Sequence, residues 1–176
     1  DEQPHKANLE KIPQLRPAFA ENGTITPANS SSISDGASAL LLASDAAVEA
    51  HGLTARARIV APSRNSLAPE AFTLAPIGAA EDVLAKAGWT VADVDLWEIN
   101  EAFAMVTMLT MDALKLDPAC VNVHGGACAQ GHPIGSTGSR IIVTLMHALE
   151  HYGKKRGVAA LCIGGGEATA VAIELV

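Results

Sequence analysis

The chain has 176 residues, 49% of them hydrophobic and 18% charged, which is enough apolar material for a real core and excludes a disordered chain. Twelve basic residues against 19 acidic ones give a net charge of −7 with no basic run, which argues against a nucleic-acid binder. Its apolar runs are far too short to span a bilayer, and an odd count of three cysteines argues for a reducing compartment such as the cytoplasm and against a disulfide framework. With aromatics at only 3%, the core must be built from Ala, Val, Leu and Ile.

In chain order, residues 1–26 are polar and broken by prolines, with one short helical candidate near residues 8–15. Residues 27–36 (PANSSSISDG) are turn-rich, and small hydroxyl side chains bond their own backbone, so Ser30, Ser31 and Ser32 read first as turn formers. Residues 37–43 (ASALLLA) predict a fully buried strand, after which Ser44 caps a short helix through His51. Residues 56–61 predict a second strand, residues 62–76 a long loop, and residues 77–87 an amphipathic helix ended by Gly88. Residues 94–99 (VDLWEI) predict a strand running straight into Asn100, followed by a helix over residues 101–116. Residues 158–163 predict a strand, residues 164–166 a tight connection and residues 168–176 a closing strand. Strands alternating with helices predict an α/β fold, a mixed sheet covered by helices.

The chain is organised around residues 122–138, NVHGGACAQGHPIGSTG, which hold five glycines, two histidines, a cysteine and a proline. Pro133 opens an amphipathic pattern in which Ile134, Ile141, Ile142, Leu145, Met146 and Leu149 recur at helical spacing until Gly153. His132 is therefore expected at the mouth of a long helix, where unpaired N–H groups and the dipole favour a neutral imidazole able to act as a base. A capping or merely packed histidine is the plainer alternative. Asn100, at a strand end, either exposes its amide at the sheet's C-terminal edge or caps the next helix. Cys162 ends an apolar strand; a buried free cysteine is usually just a small hydrophobe, but the three glycines after it bare N–H groups that could cradle an oxyanion. Thiol, histidine and amide together are the parts of acyl-transfer chemistry. Cys120, His124, Cys128 and His132 recur every fourth residue, but intervening glycines and Pro133 rule out the continuous helix that would align them on a metal.

Three of these stretches resemble the motifs of one family. Asn100-Glu101-Ala102-Phe103 resembles the NEAF motif of thiolases, Gly131-His132-Pro133-Ile134-Gly135 their GHPIG motif, and Cys162-Ile163-Gly164-Gly165-Gly166 their CxGGG motif, in the family's order. The resemblance runs from Asp1 to Val176 and is nearest to acetyl-CoA C-acetyltransferases and short-chain 3-ketoacyl-CoA thiolases. It implies the C-terminal half of the thiolase fold, one layer set of an αβαβα sandwich. Residues 1–61 would be the end of a coenzyme A-binding loop domain with the last elements of the N-terminal half, and residues 62–176 the C-terminal domain.

The resemblance also implies roles. His132 would activate a nucleophilic cysteine and, with a water held by Asn100, stabilise a thioester oxyanion. Cys162 would be the acid/base at the second acyl-CoA, with the Gly164 N–H in a second oxyanion hole. Ser31 would contact coenzyme A, and Ala18, Phe19, Ile33, Phe72, Ala102 and Phe103 match positions lining its pantetheine or the acyl group. No cofactor is implied, since the coenzyme A thioester is the substrate. Implied partners are acyl-CoA, coenzyme A, an N-terminal half and further copies in a homo-oligomer, with neither nucleic acid nor membrane. The sequence departs from the family at residues 72–76 (FTLAP), where a Met-Gly-x-Gly-Pro loop is frequent, and at His5, where a basic residue is common. The acyl-accepting cysteine of thiolases lies in their first half, and Cys120, Cys128 and Cys162 all fall in the second. A separate N-terminal half is thus expected to supply it, and this chain alone to be inactive. Ketoacyl synthases, which use a second histidine in place of the second cysteine, and a non-catalytic coenzyme A-binding module are the alternatives.

Overall fold

The computed structural model describes residues 2–176. Asp1, where the resemblance to the family begins, lies outside the described residues. A short helix α1 (Glu2–Lys6) is followed by a single 3-10 turn at Ile12–Gln14, where a helix was expected over residues 8–15; Pro13, inside that turn, removes the donor that a longer helix needs. Helix α2 (Asp45–His51) starts as expected, the Ser44 hydroxyl accepting from the Ala47 N–H at 3.2 Å, and ends at Gly52 in the left-handed conformation. Residues 37–43 are not the predicted buried strand. They pair with no strand, and Leu41 and Leu42 stand 84% and 70% exposed.

Strand β1 (Ala57–Ser66) runs further than its apolar start implied, through Pro62. A proline is tolerated there because β1 is an edge strand with only β4 beside it. Helix α3 (Ala75–Ala87) ends as predicted at Gly88 in the left-handed region. Strand β2 (Leu96–Ile99), helices α4 (Ala104–Leu114) and α5 (Ala127–Gln130), helix α6 (Thr137–His151), and strands β3 (Arg156–Cys162) and β4 (Glu167–Leu175) complete the order.

Among the described residues the strands form one mixed sheet in the order β1-β4-β3-β2, with β2 parallel to β3 and the other pairs antiparallel. The free edge of β2 is capped by the glycine stretch. Val121 bridges Trp97, and the Asn122 side chain bonds both backbone groups of Ile99, at 2.8 Å each. One face of the sheet packs on α3 through Ala79, Ala80 and Val83 against Trp97, Ile99, Val158 and Ala170; the other packs on α6 through Ile141, Leu145 and Leu149 against Leu96, Ala159 and Ile173. This is the helix-covered mixed α/β sheet expected from the strand and helix pattern. Among the described residues no helix is long and apolar enough to cross a membrane.

Candidate active site

The site lies where the C-terminal ends of β2 and β3 meet the start of α6. Along β2, side chains alternate: Trp97 and Ile99 join the α3-side core, while Leu96 joins the α6-side core. The same alternation turns Glu98 and Asn100 toward α6. The Asn100 N–H donates to the Ala160 carbonyl at 2.9 Å, which carries the β2–β3 ladder one residue past β2 and sets Asn100 near the end of β3. Asn100 does not cap a helix, because α4 begins only at Ala104. It is 1% exposed, yet neither amide atom has a hydrogen-bond partner within the chain. For a buried amide that is costly, and such groups mark positions whose partner is water or a ligand.

His132 precedes α6 by one turn more than the sequence pattern implied. Pro133 does not open the helix. Its carbonyl instead accepts from the Ser136 N–H at 2.7 Å, the Thr137 N–H at 2.8 Å and the Thr137 hydroxyl at 3.0 Å, which folds residues 133–136 into a turn. The His132 N–H is bound by the Ser32 carbonyl at 2.8 Å, and its Nδ1 lies 2.7 Å from the Thr137 hydroxyl oxygen. Thr137 is fully buried and its single hydroxyl proton is directed to Pro133, so it accepts from Nδ1–H. Nε2 is left with its lone pair. Burial, and then the positive charge of Arg140, push the His132 pKa down, so the ring is neutral and Nε2 is a base.

Cys162 closes β3 and is 6% exposed; burial pushes its thiol pKa up, so at rest it is a proton-bearing acid rather than a thiolate. The three glycines after it form the β3–β4 turn, tied by the Ile163 N–H to Glu167 carbonyl bond at 2.7 Å. Gly166, at φ +103°, has no room for a Cβ beside the Leu67 carbonyl. Gly164 is exposed, with open space where a side chain would be.

The serine loop is more than a turn. The Ser31 N–H and hydroxyl both donate to the Ala102 carbonyl, at 3.2 and 2.9 Å, Ser30 bridges Phe103, and Ile33 bridges His132. The loop therefore straps the residues after Asn100 to the residues around His132. Gly131, at φ +94°, permits this approach, since a Cβ there would collide with the Ser34 hydroxyl. Three of the expected lining residues meet as an aromatic group, Phe103 packing on Phe19 with ring centres 5.8 Å apart and on Phe72 at 6.2 Å. Ala102 adjoins them, while Ala18 is held by its N–H to the Ile25 carbonyl at 2.8 Å; Phe19 and Ile33 remain 75% and 87% exposed.

The two other cysteines have partners of their own, Cys128 donating through its N–H and its thiol to Glu101, the residue after Asn100. The Cys120 thiol donates to the Asp117 carbonyl at 3.0 Å in a 3-10 turn, and burial followed by Asp117 pushes its pKa up. Cys128 sits on α5, its pKa pushed up to about 12 by burial and by Glu101. His124 is exposed and packs instead against the rings of His151 and Tyr152. Among the described residues no group of three or more His, Cys, Asp or Glu side chains could hold a metal ion.

Residues beyond those picked from the sequence also build the site. Thr137 orients His132, and Arg140 faces Glu98. Glu101 accepts from the Cys128 N–H at 3.0 Å and packs on Gly126 where a Cβ would stand. One of these had a visible signal: Glu98 is an acid inside an otherwise apolar strand core.

Comparison with known proteins gives the family. Residues 53–175 match the thiolase C-terminal domain family and residues 1–46 the thiolase N-terminal domain family. The chain belongs to the thiolase family. Among its relatives, a probable acetyl-CoA acetyltransferase of Dictyostelium discoideum is 48% identical over 99% of this chain and 42% of its own length. The cytosolic acetyl-CoA acetyltransferase of Mus musculus is 48% identical over 97% of this chain and 43% of its own. Among solved structures, the Bacillus anthracis acetyl-CoA acetyltransferase superposes with a TM-score of 0.93 at 40% identity, covering 97% of this chain and 43% of that one. Human mitochondrial 3-ketoacyl-CoA thiolase in complex with CoA superposes at 0.89 and 38%, with the same coverage. The chain thus spans less than half the length of these relatives.

Proposed function

We propose that this chain is the C-terminal part of a thiolase that moves acyl groups between coenzyme A thioesters, by condensing two acetyl-CoA to acetoacetyl-CoA and coenzyme A or by the reverse thiolysis. The observation that carries this reading is Asn100, fully buried at a strand end with both amide atoms unpaired. A structural asparagine would be satisfied; this one is set to hold a water or a substrate oxygen. His132 Nε2 takes the proton of a nucleophilic cysteine supplied by the N-terminal half, and that thiolate attacks the thioester carbonyl. The oxyanion is held by His132 and the Asn100 water, and coenzyme A leaves with the proton of the Cys162 thiol, which becomes a thiolate. The Cys162 thiolate, poised near the glycine turn, then takes the α-proton of a second acetyl-CoA as the Gly164 N–H steadies the enolate oxygen. The enolate carbon attacks the acyl-enzyme, and the departing cysteine sulfur takes back its proton from His132.

The raised pKa of all three cysteines here supports a nucleophile from outside this chain. Ser31 and the group of Phe19, Phe72 and Phe103, with Ala18, Ile33 and Ala102, would flank the pantetheine and acyl group. Exposed Leu41 and Leu42 are suited to cover by the N-terminal half. The cytosolic mouse relative favours the same compartment for this protein, and a homo-oligomer is the assembly we expect.

The test is to express residues 1–176 alone and together with an N-terminal thiolase half, and to assay acetoacetyl-CoA cleavage by free coenzyme A. Activity only on co-expression is the expected result. An active, monomeric chain by itself overturns the two-part reading, and an assembled complex indifferent to His132→Asn overturns the assignment of the site.

A further inference from the structure

Two residues before Asn100 lies a contact between a carboxyl and a guanidinium that the chemistry above leaves unused. Glu98, on β2, and Arg140, on α6, face one another with Oε2 and Nη1 3.6 Å apart and with side chains only 3% and 17% exposed. Glu98 stands two residues before Asn100 on the same face of the strand. Arg140 stands three residues after Thr137, on the helix face whose Thr137 hydroxyl orients His132. The contact thus joins the two elements that present the two site residues. It is an incomplete pairing, since Glu98 Oε1 and Arg140 Nη1 are buried without a hydrogen-bond partner. A buried pair of this kind is rarely kept for stability, because two apolar side chains of similar volume serve at least as well.

We propose that Arg140, seated on Glu98, is a positioning residue that ties β2 to α6 and so sets Asn100 in register with His132, whose ring Thr137 of α6 holds. Two carboxyl groups face Arg140. From β2 comes Glu98, and from the loop after it Glu101, whose carboxylate is bound by the Cys128 N–H of α5. Both act on Arg140, and Arg140 is the charged group that lowers the His132 pKa after burial has done so. Burial pushes Glu98 itself up to about 8 against the pull of Arg140, so below that pH its carboxyl does not cancel the arginine's field at His132. Cys162, at the end of β3, is held uncharged by its own burial and adds no charge.

The inference rests on the acyl-transfer reading for what His132 does, but its first readout does not. The 176-residue chain, labelled with 15N, is titrated by NMR alone and in the co-expressed complex, as parent, Arg140→Lys, Arg140→Met and the double variant Glu98→Leu/Arg140→Met. The double variant replaces both partners by apolar groups and leaves neither polar group buried alone, so it keeps the test open if Arg140→Met by itself folds poorly. The His132 titration should move to higher pH in the double variant and stay near the parent's in Arg140→Lys. In the complex, the acid limb of the rate of acylation by acetyl-CoA should move to higher pH by the same amount. An unchanged His132 titration in the double variant overturns the proposal, as does an equal shift in Arg140→Lys, which would mark a packing effect. If instead His132→Asn leaves turnover intact, the acyl-transfer reading fails while the titration still decides the role of Arg140.

Discussion

Two stretches of this chain look alike as sequence and end in opposite surroundings. Residues 37–43 and residues 158–163 are both short, apolar and free of charge. In the fold the second becomes the centre of the sheet, with Val158 and Ala160 packed toward α3 and Ala159 toward α6. The first has no ladder, and two of its three leucines, Leu41 and Leu42, face outward while Leu40 is half-buried. Apolarity states that a segment requires cover; neighbours decide whether it gets it. Here β3 has β2 and β4 on its flanks and helices on both faces, while residues 37–43 are tied down only at one end. There Ser38 reaches the hydroxyls of Ser136 and Ser139 at 2.7 and 2.6 Å, and Gly36 packs on Pro133. The contrast implies that β3 anchors the sheet within this chain, while under the two-part reading proposed above residues 37–43 would act through assembly.

The sharpest way to break that contrast is at the end of β3. In the assembled enzyme Cys162→Ser should leave acylation by acyl-CoA intact while condensation and thiolysis fall by roughly a hundred- to ten-thousandfold, the range for a lost general base. Equal loss of acylation would make Cys162 the nucleophile. Leu41→Asp, by contrast, should leave the titration of His132 in the chain alone unchanged and reduce the yield of the complex on co-purification.

Core and exposed leucines should separate as clearly in stability. Leu145→Ala removes a fully buried side chain that packs beneath Gly157 and should cost about 2–5 kcal/mol in urea unfolding of the chain. Leu41→Ala should stay within about 0.5 kcal/mol, because its side chain is already in water. A large loss at Leu41 would mean that residues 37–43 find cover by self-association, which sedimentation would reveal.

Stability should also depend on pH through the buried floor of the site. The folded state raises the pKa of Glu98 to about 8, chiefly by desolvation, so it favours the protonated carboxyl. The contribution is fully present below the carboxyl's ordinary pKa and is lost as pH rises toward 8. Glu98→Gln cannot ionise, so its stability relative to the parent should increase steadily over that window. A flat difference between the two urea titrations would show Glu98 to be ionised throughout.

The smallest expected effect concerns Thr137. Thr137→Val deletes the acceptor that holds Nδ1–H, and one such bond is worth about 1 kcal/mol, a rate loss of roughly five- to tenfold in the assembled enzyme. The 15N shifts of His132 should then show a mixture of tautomers, and Thr137→Ser should restore both the shifts and the rate.

Much of this protein is readable without its structure. The ordered motifs around Asn100, His132 and Cys162 identify the family because each combines a chemically necessary side chain with the glycines or proline that its backbone course requires. Turn chemistry and capping are local, so Ser44, Gly88 and the glycine turn after Cys162 lie where the sequence places them. The start of α6 does not: Pro133 is a good first helical residue, but three donors converge on its carbonyl and fold a turn first. The serine loop reads as local turns, yet its bonds go to Ala102 and His132, some 70 to 100 residues away in sequence. The tautomer of His132, the unpaired amide of Asn100 and the seating of Arg140 on Glu98 likewise belong to the tertiary structure. Each depends on which groups from distant strands and helices share one buried volume, and a buried polar group takes its character from partners that no local pattern names.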